Sequence, residues 1–139
     1  MKDILIQHIA ERFNSYNDLA AATNDTRLGT KLEIERHKSM AEHLWCVVGA
    51  RESYTASIRA GEWQGFACSL TAFTQGDFTK ALLQSAEHAL NTFAEISDWT
   101  DARTGLLIAL HEHEVMHEGQ IIRHLYGIGE PIPGSVKWA

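Results

Sequence analysis

Four stretches of about twenty residues, each with apolar side chains recurring every three to four positions, account for most of this 139-residue chain. That period puts the apolar residues on one face of a helix, and almost nothing alternates as a half-buried strand would. The first stretch runs from Lys2 to Thr23 and carries Ile4, Leu5, Ile9, Phe13, Tyr16, Leu19 and Ala20 as its stripe, before NDTRLG ends it. The second is expected to start at Ser39, an N-cap with Glu42 three residues on to complete a capping box, and to run to Arg59 before Gly61 stops it. Its seam is Met40, His43, Val47, Tyr54 and Ile58. The third passes from Asp77 through Leu82, Leu83, Ala86, Leu90 and Phe93 to Ile96, and the fourth extends from Asp101 to Tyr126, ending at GIGEPIPG. Between the second and third, GEWQGFACSLTAFTQG has glycines near each end and no period, so it reads as a long connection. Helices of this number and length with long connections predict an all-α chain, one four-helix bundle over residues 1–139.

The charge balance narrows the partners. With 12 Lys plus Arg against 18 Asp plus Glu, a net charge of -6 and no basic cluster, the sequence shows no footprint for a phosphate backbone, so no nucleic-acid partner is expected. No apolar run is long enough to span a membrane, and Gln7, His8 and Glu11 interrupt the N-terminal apolar residues that a signal peptide would keep continuous. Cys46 and Cys68 then read as reduced thiols and the location as cytoplasmic.

The fourth helix carries the chemistry. Leu106, Leu110, His113, His117, Ile121, His124 and Ile128 follow spacings of three and four along one core-facing seam. His113 and His117 thus stand where leucine is expected, one turn apart and on the same side. Each buried imidazole needs partners or costs roughly 1–3 kcal/mol per unsatisfied group, so two in succession need a common explanation. A shared metal ion is one; hydrogen bonds across the core are another, and spacing leaves both open. Candidates for a third ligand are His43, on the second seam, and Cys46, one turn later at its margin. His124 reads as a satisfied core histidine, and His8, His37, His88 and His111 as solvated. Arg51 and Glu114 are the candidates for catalytic side chains, Arg51 as an anion holder or an ion-pair partner and Glu114 as a base.

HEVMH, residues 113–117, also fits the zinc-protease pattern H-E-x-x-H. Three histidines and three glutamates within eight residues make such a match cheap, and the extension fails: Gln120 stands where glycine is needed and Arg123 where the third histidine belongs. No strand precedes the motif to pair with a peptide, which argues against a protease.

The same segment resembles the DinB/YfiT-like metalloenzyme superfamily. The match consists of His113-x-x-x-His117 followed by Glu118-Gly119-Gln120-Ile121, then Tyr126-Gly127-Ile128-Gly129 and Pro131-Ile132-Pro133, together with the second helix SMAEHLWCVVGARESY. Two residues depart from the family pattern: Glu118 replaces an arginine, and alignment of Ala50-Arg51-Glu52-Ser53-Tyr54 puts Cys46 rather than His43 at the family's usual histidine. The resemblance implies a four-helix bundle in which His113, His117 and either His43 or Cys46 hold a divalent ion, zinc or nickel. It further implies a thiol-dependent S-transferase or isomerase acting on a small-molecule substrate with a low-molecular-weight thiol. Activation of water instead would make a hydrolase with Glu114 as base. A non-catalytic dimeric bundle with weak or no metal binding is the remaining class. It draws on a second apolar strip, Ile108, Val115 and Ile122, expected to be buried by the tail residues Val136 and Trp138 or by a homodimer contact.

Overall fold

Local capping chemistry sets where the helices begin. In the computed structural model, which describes all 139 residues, the elements are α1 (Lys2–Ala22), a short α2 (Asp25–Leu28), α3 (Met40–Ala60), α4 (Gln75–Glu95) and α5 (Asp101–Ile128). Ser39 and Glu42 form the expected capping box: the Glu42 amide donates to Ser39 Oγ at 3.1 Å and the Ser39 amide to Glu42 Oε2 at 2.6 Å. Thr74 and Asp77 form a second box, which starts α4 two residues before the periodicity does. Gly129, at φ 72°, closes α5 in the left-handed conformation that glycine adopts without strain. NDTRLG, read as the end of the first helix, instead makes the extra turn α2, because the Asn24 side chain accepts from the Arg27 amide and caps a new start.

Contacts at the helix ends give the topology. The Lys2 ammonium lies 5.6 Å over the Trp99 ring, so α1 and α5 start at the same end. Gln75 reaches the Ala20 carbonyl, making α4 antiparallel to α1. Arg59 meets Thr92 and Glu95, so α3 and α4 run the same way, and Arg103 donates to the Ile58 carbonyl, which sets α5 antiparallel to α3. The order is therefore up, down, down, up, and α1 and α3 each pack against both α4 and α5. Two parallel neighbours in succession require a connection that returns the length of the bundle. A 21-residue helix is about 31 Å long, and the fourteen residues from Gly61 to Thr74 reach up to about 46 Å when extended. GEWQGFACSLTAFTQG is long for that reason. It is anchored along α3: the Ala67 amide donates to Ser53 Oγ, Ser69 donates to Glu52, and Phe66 tilts against Trp45. Gly49 allows the approach, since a Cβ there would collide with the Phe66 ring.

The apolar interior has two parts. One gathers Tyr16, Leu19, Met40, Leu44, Val47, Phe78, Leu82, Ile121 and Leu125, with Val136 of the tail; the other gathers Ile9, Phe13, Ile58, Ala89, Phe93, Leu107 and Leu110. Ile4 and Leu83, both placed on the stripes, remain 62% and 50% exposed because their neighbours Leu5 and Leu82 take the inward positions. No helix is long and apolar enough to cross a membrane.

Candidate metal centre

Two polar layers occupy α5 side by side. The first is the pair Arg51–Glu114, both fully buried, with Arg51 Nε donating to Oε1 at 2.7 Å and Nη2 to Oε2 at 2.8 Å. Arg51 Nη1 donates to the Leu82 carbonyl of α4, and the guanidinium lies 4.1 Å from the Phe13 ring centroid of α1. Tyr16 of α1 donates to the Glu114 carbonyl at 2.7 Å. One side chain of α3 therefore touches each of the other long helices, with both carboxylate oxygens of its partner taken. A second buried pair, Arg12–Glu118, ties α1 to α5: Arg12 Nη1 reaches Oε1 at 2.7 Å and Oε2 at 2.8 Å. Burial pushes the Glu118 carboxyl up, although the Arg12 guanidinium opposes this. The charge reversal noted at Glu118 thus has an internal counterion.

The second layer is the histidines. His43 enters from the first turn of α3 and His117 from the middle of α5, and their Nδ1 atoms stand 3.0 Å apart. His113, one turn earlier, has its ring centroid 4.5 Å from that of His117. Whichever Nδ1 of the close pair carries the proton, His43 Nε2 is buried with no partner, and so is His113 Nδ1. Of the five buried polar side-chain atoms left without a hydrogen bond in the molecule, two belong to these three residues. Burial pushes the His43 imidazole down to about 4, helped by the Lys38 charge, and His117 down to about 3, helped by its two histidine neighbours. Burial lowers His113 as well. All three are neutral at pH 7, the form in which imidazole binds a metal ion.

The residues fit an ion in their chemistry. The 3.0 Å separation is close to the roughly 3.3 Å between two nitrogens on one tetrahedral zinc with bonds of 2.0–2.1 Å. As the side chains stand, no three His, Cys, Asp or Glu close into a ligand set. Cys46 lies away from the pair, its Sγ accepting from the Lys38 ammonium at 3.2 Å. Of the two candidates for a third ligand, the helix register turns His43 toward His117 and Cys46 toward the preceding connection.

Sequence periodicity misplaced two histidines, His37 and His111. His37, expected to be solvated, is half-buried and stacks on His124 with ring centroids 5.4 Å apart and planes within 6°; it also lies 6.0 Å from His43. The connection from Gly29 to Ser39 folds back over the C-terminal half of α5, a contact that no single-helix pattern encodes. His124 is satisfied as read, by His37 at 3.1 Å and Thr30 Oγ1 at 2.8 Å. His8 and His88 are exposed, whereas His111 is half-buried with its ring edge toward His8. The strip expected to be covered is open in part. Ile108 and Val115 are 42% and 44% exposed, Ile122 packs at the edge of the core, and Val136 is buried while Trp138 is 86% exposed.

A cleft of about 260 Å³ opens over His43 and His117, with Arg36, Lys38 and Arg123 at its rim and Met116 and Gln120 on its wall. The histidine layer is thereby reachable from outside, and the ion-pair layer is not.

No protein-family model matches this sequence, and no curated protein matches it either. Among solved structures, a DinB-like protein of Bacillus subtilis, YjoA, is similar over 94% of this chain and 96% of its own, with a TM-score of 0.75 at 17% sequence identity. An all-helical chain superposing over nearly its full length has the DinB-like fold.

Proposed function

We propose that this protein is a metal-dependent enzyme in which His43, His113 and His117 hold a divalent ion, zinc or nickel, and that it transfers or isomerises a small substrate with the help of a low-molecular-weight thiol. The observation that carries the reading is the pair of buried, unpartnered imidazole nitrogens in a layer of three neutral histidines, two of which, His43 and His117, line an open cleft. Leaving each such group unsatisfied costs about 1–3 kcal/mol, an expense that a ligand would relieve. When bound, the ion would supply a Lewis-acidic position at which a thiol is held as thiolate at neutral pH. The protein's own part is to keep the three imidazoles uncharged by burial, to fix α5 against α3 through Arg51–Glu114, and to admit small molecules through the cleft.

The choice of thiol over water rests on Glu114. A hydrolase would need it as a free base, yet both of its oxygens accept from Arg51 and neither is exposed. A non-catalytic dimer has its own support in the exposed Ile108 and Val115 strip. Val115→Glu separates that reading: in a homodimer it would yield folded monomers by light scattering, and in a monomer it would leave the mass unchanged.

Elemental analysis of protein purified without an affinity tag is the direct test. About one zinc or nickel per chain, lost in His117→Ala together with thiol transfer to electrophilic substrates, is the expected result. Protein that takes up neither zinc, nickel, manganese nor cobalt at saturation would end the catalytic reading.

A further inference from the structure

The cleft over the histidines is electrostatically unlike the rest of the molecule. The chain has 18 carboxylate residues against 12 Lys plus Arg, yet three of those twelve cations line this small cleft and no carboxylate does. Eight of the twelve have a carboxylate within ion-pair distance; Lys38, Lys80, Arg123 and Lys137 do not. Two of these four stand at the cleft. The third rim cation, Arg36, has only a loose contact with Glu35 at 3.8 Å, both side chains being 91% exposed, which is worth little in water. Arg36 also sits at φ 63°, the left-handed region that a long side chain rarely occupies, and the connection that strains it places it on the rim. Cations left unpaired around one opening on an otherwise acidic surface focus field toward an anion.

We propose that this cleft takes a small carboxylate-bearing molecule of about four carbons, its anionic end held by Arg36, Lys38 and Arg123 and its other end at His43 and His117. A volume of about 260 Å³ is the right size to seat a short dicarboxylic acid. Arginine forks on carboxylate oxygens, and the Lys38 ammonium adds a point charge at the rim. The inference deepens the metal-site reading, and rests on it for the reacting group alone; capture of the anion requires only the cations.

The test is titration calorimetry at low ionic strength on the full chain, first stripped of metal and then loaded with zinc, using succinate as probe and its uncharged diamide as control. Succinate is expected to bind metal-free protein and the diamide not to. Arg123→Gln and Lys38→Gln should each weaken succinate about tenfold, while Lys80→Gln, which removes an equal charge from an exposed site on α4, should leave it unchanged. Circular dichroism melts establish that each variant is folded, and all three positions are exposed. Equal binding of acid and diamide, no binding of either, or equal loss in Lys80→Gln and Arg123→Gln would overturn the proposal. Succinate binding without metal uptake would leave the anion site standing and remove the metal reading; metal uptake without succinate binding would do the reverse.

Discussion

Glu114 and His117 are less than one turn apart on α5 and are both buried, yet they sit in opposite kinds of surroundings. Around Glu114 every strong group is answered: two bonds from Arg51, a third Arg51 bond to Leu82, and Tyr16 on the Glu114 carbonyl. Around His117 the account stays open, with nitrogens of His43 and His113 unpartnered and a cleft above. A closed polar network in a core rigidifies and registers helices, whereas an open one carries a desolvation cost that a bound water or ligand can offset. Their adjacency is informative, because the rigid layer fixes the geometry of the open layer beside it.

The sharpest way to break this contrast is to mutate the closed layer. Glu114→Ala leaves the Arg51 guanidinium buried without a counterion and should cost about 3–5 kcal/mol in urea denaturation, whereas the Arg51→Met/Glu114→Leu double variant should return to within about 2 kcal/mol of the parent. A loss below about 1 kcal/mol for the single variant would mean that Glu114 is not structural, and would reopen its role as a base. The double variant sharpens the comparison further: should it fold but lose metal affinity, the pair positions the histidines as well as the helices.

Acid probes the open layer. The folded values of His43 and His117, about 4 and about 3, lie below the 6.5 of an unfolded imidazole, so the unfolded chain takes up protons first as pH falls. Stability of the metal-free protein from these two groups is therefore complete above pH 6.5 and declines progressively toward pH 4 and below. After allowance for water in the cleft, the loss by pH 4 should be on the order of 2 kcal/mol, measured as a falling urea midpoint. In His43→Leu/His117→Leu this slope should flatten between pH 6.5 and 4. A parent profile already flat across that range would show that the imidazoles are not buried neutral.

The smallest effect belongs to Cys46. With its thiol turned to Lys38, Cys46→Ser should change zinc affinity by less than about threefold, whereas His43→Ala should lower it by orders of magnitude. A large loss in Cys46→Ser would reverse the assignment of the third ligand and equate the two sides of α3 that the structure separates.

Periodicity by itself determined the helices, their approximate ends and the inward position of His113, His117 and His43, because a 3.6-residue repeat of apolar side chains has one way to be buried. Capping chemistry was equally legible at Ser39, since the box closes within four residues. Other features depended on contacts between residues distant in the chain. Glu114 and Glu118 lie off the apolar seam and carry charge, so nothing local marked them as buried; their arginine partners are 63 and 106 residues away. His37 entered the cluster through a connection folded over α5, and Arg36 and Lys38 reached the rim by the same route. That His43 and not Cys46 faces His117 followed from the packed rotation of α3 against α5. Local spacing records which face of a helix is apolar, but which charges meet inside, and which remain unpaired around a cleft, is set only when four helices pack together.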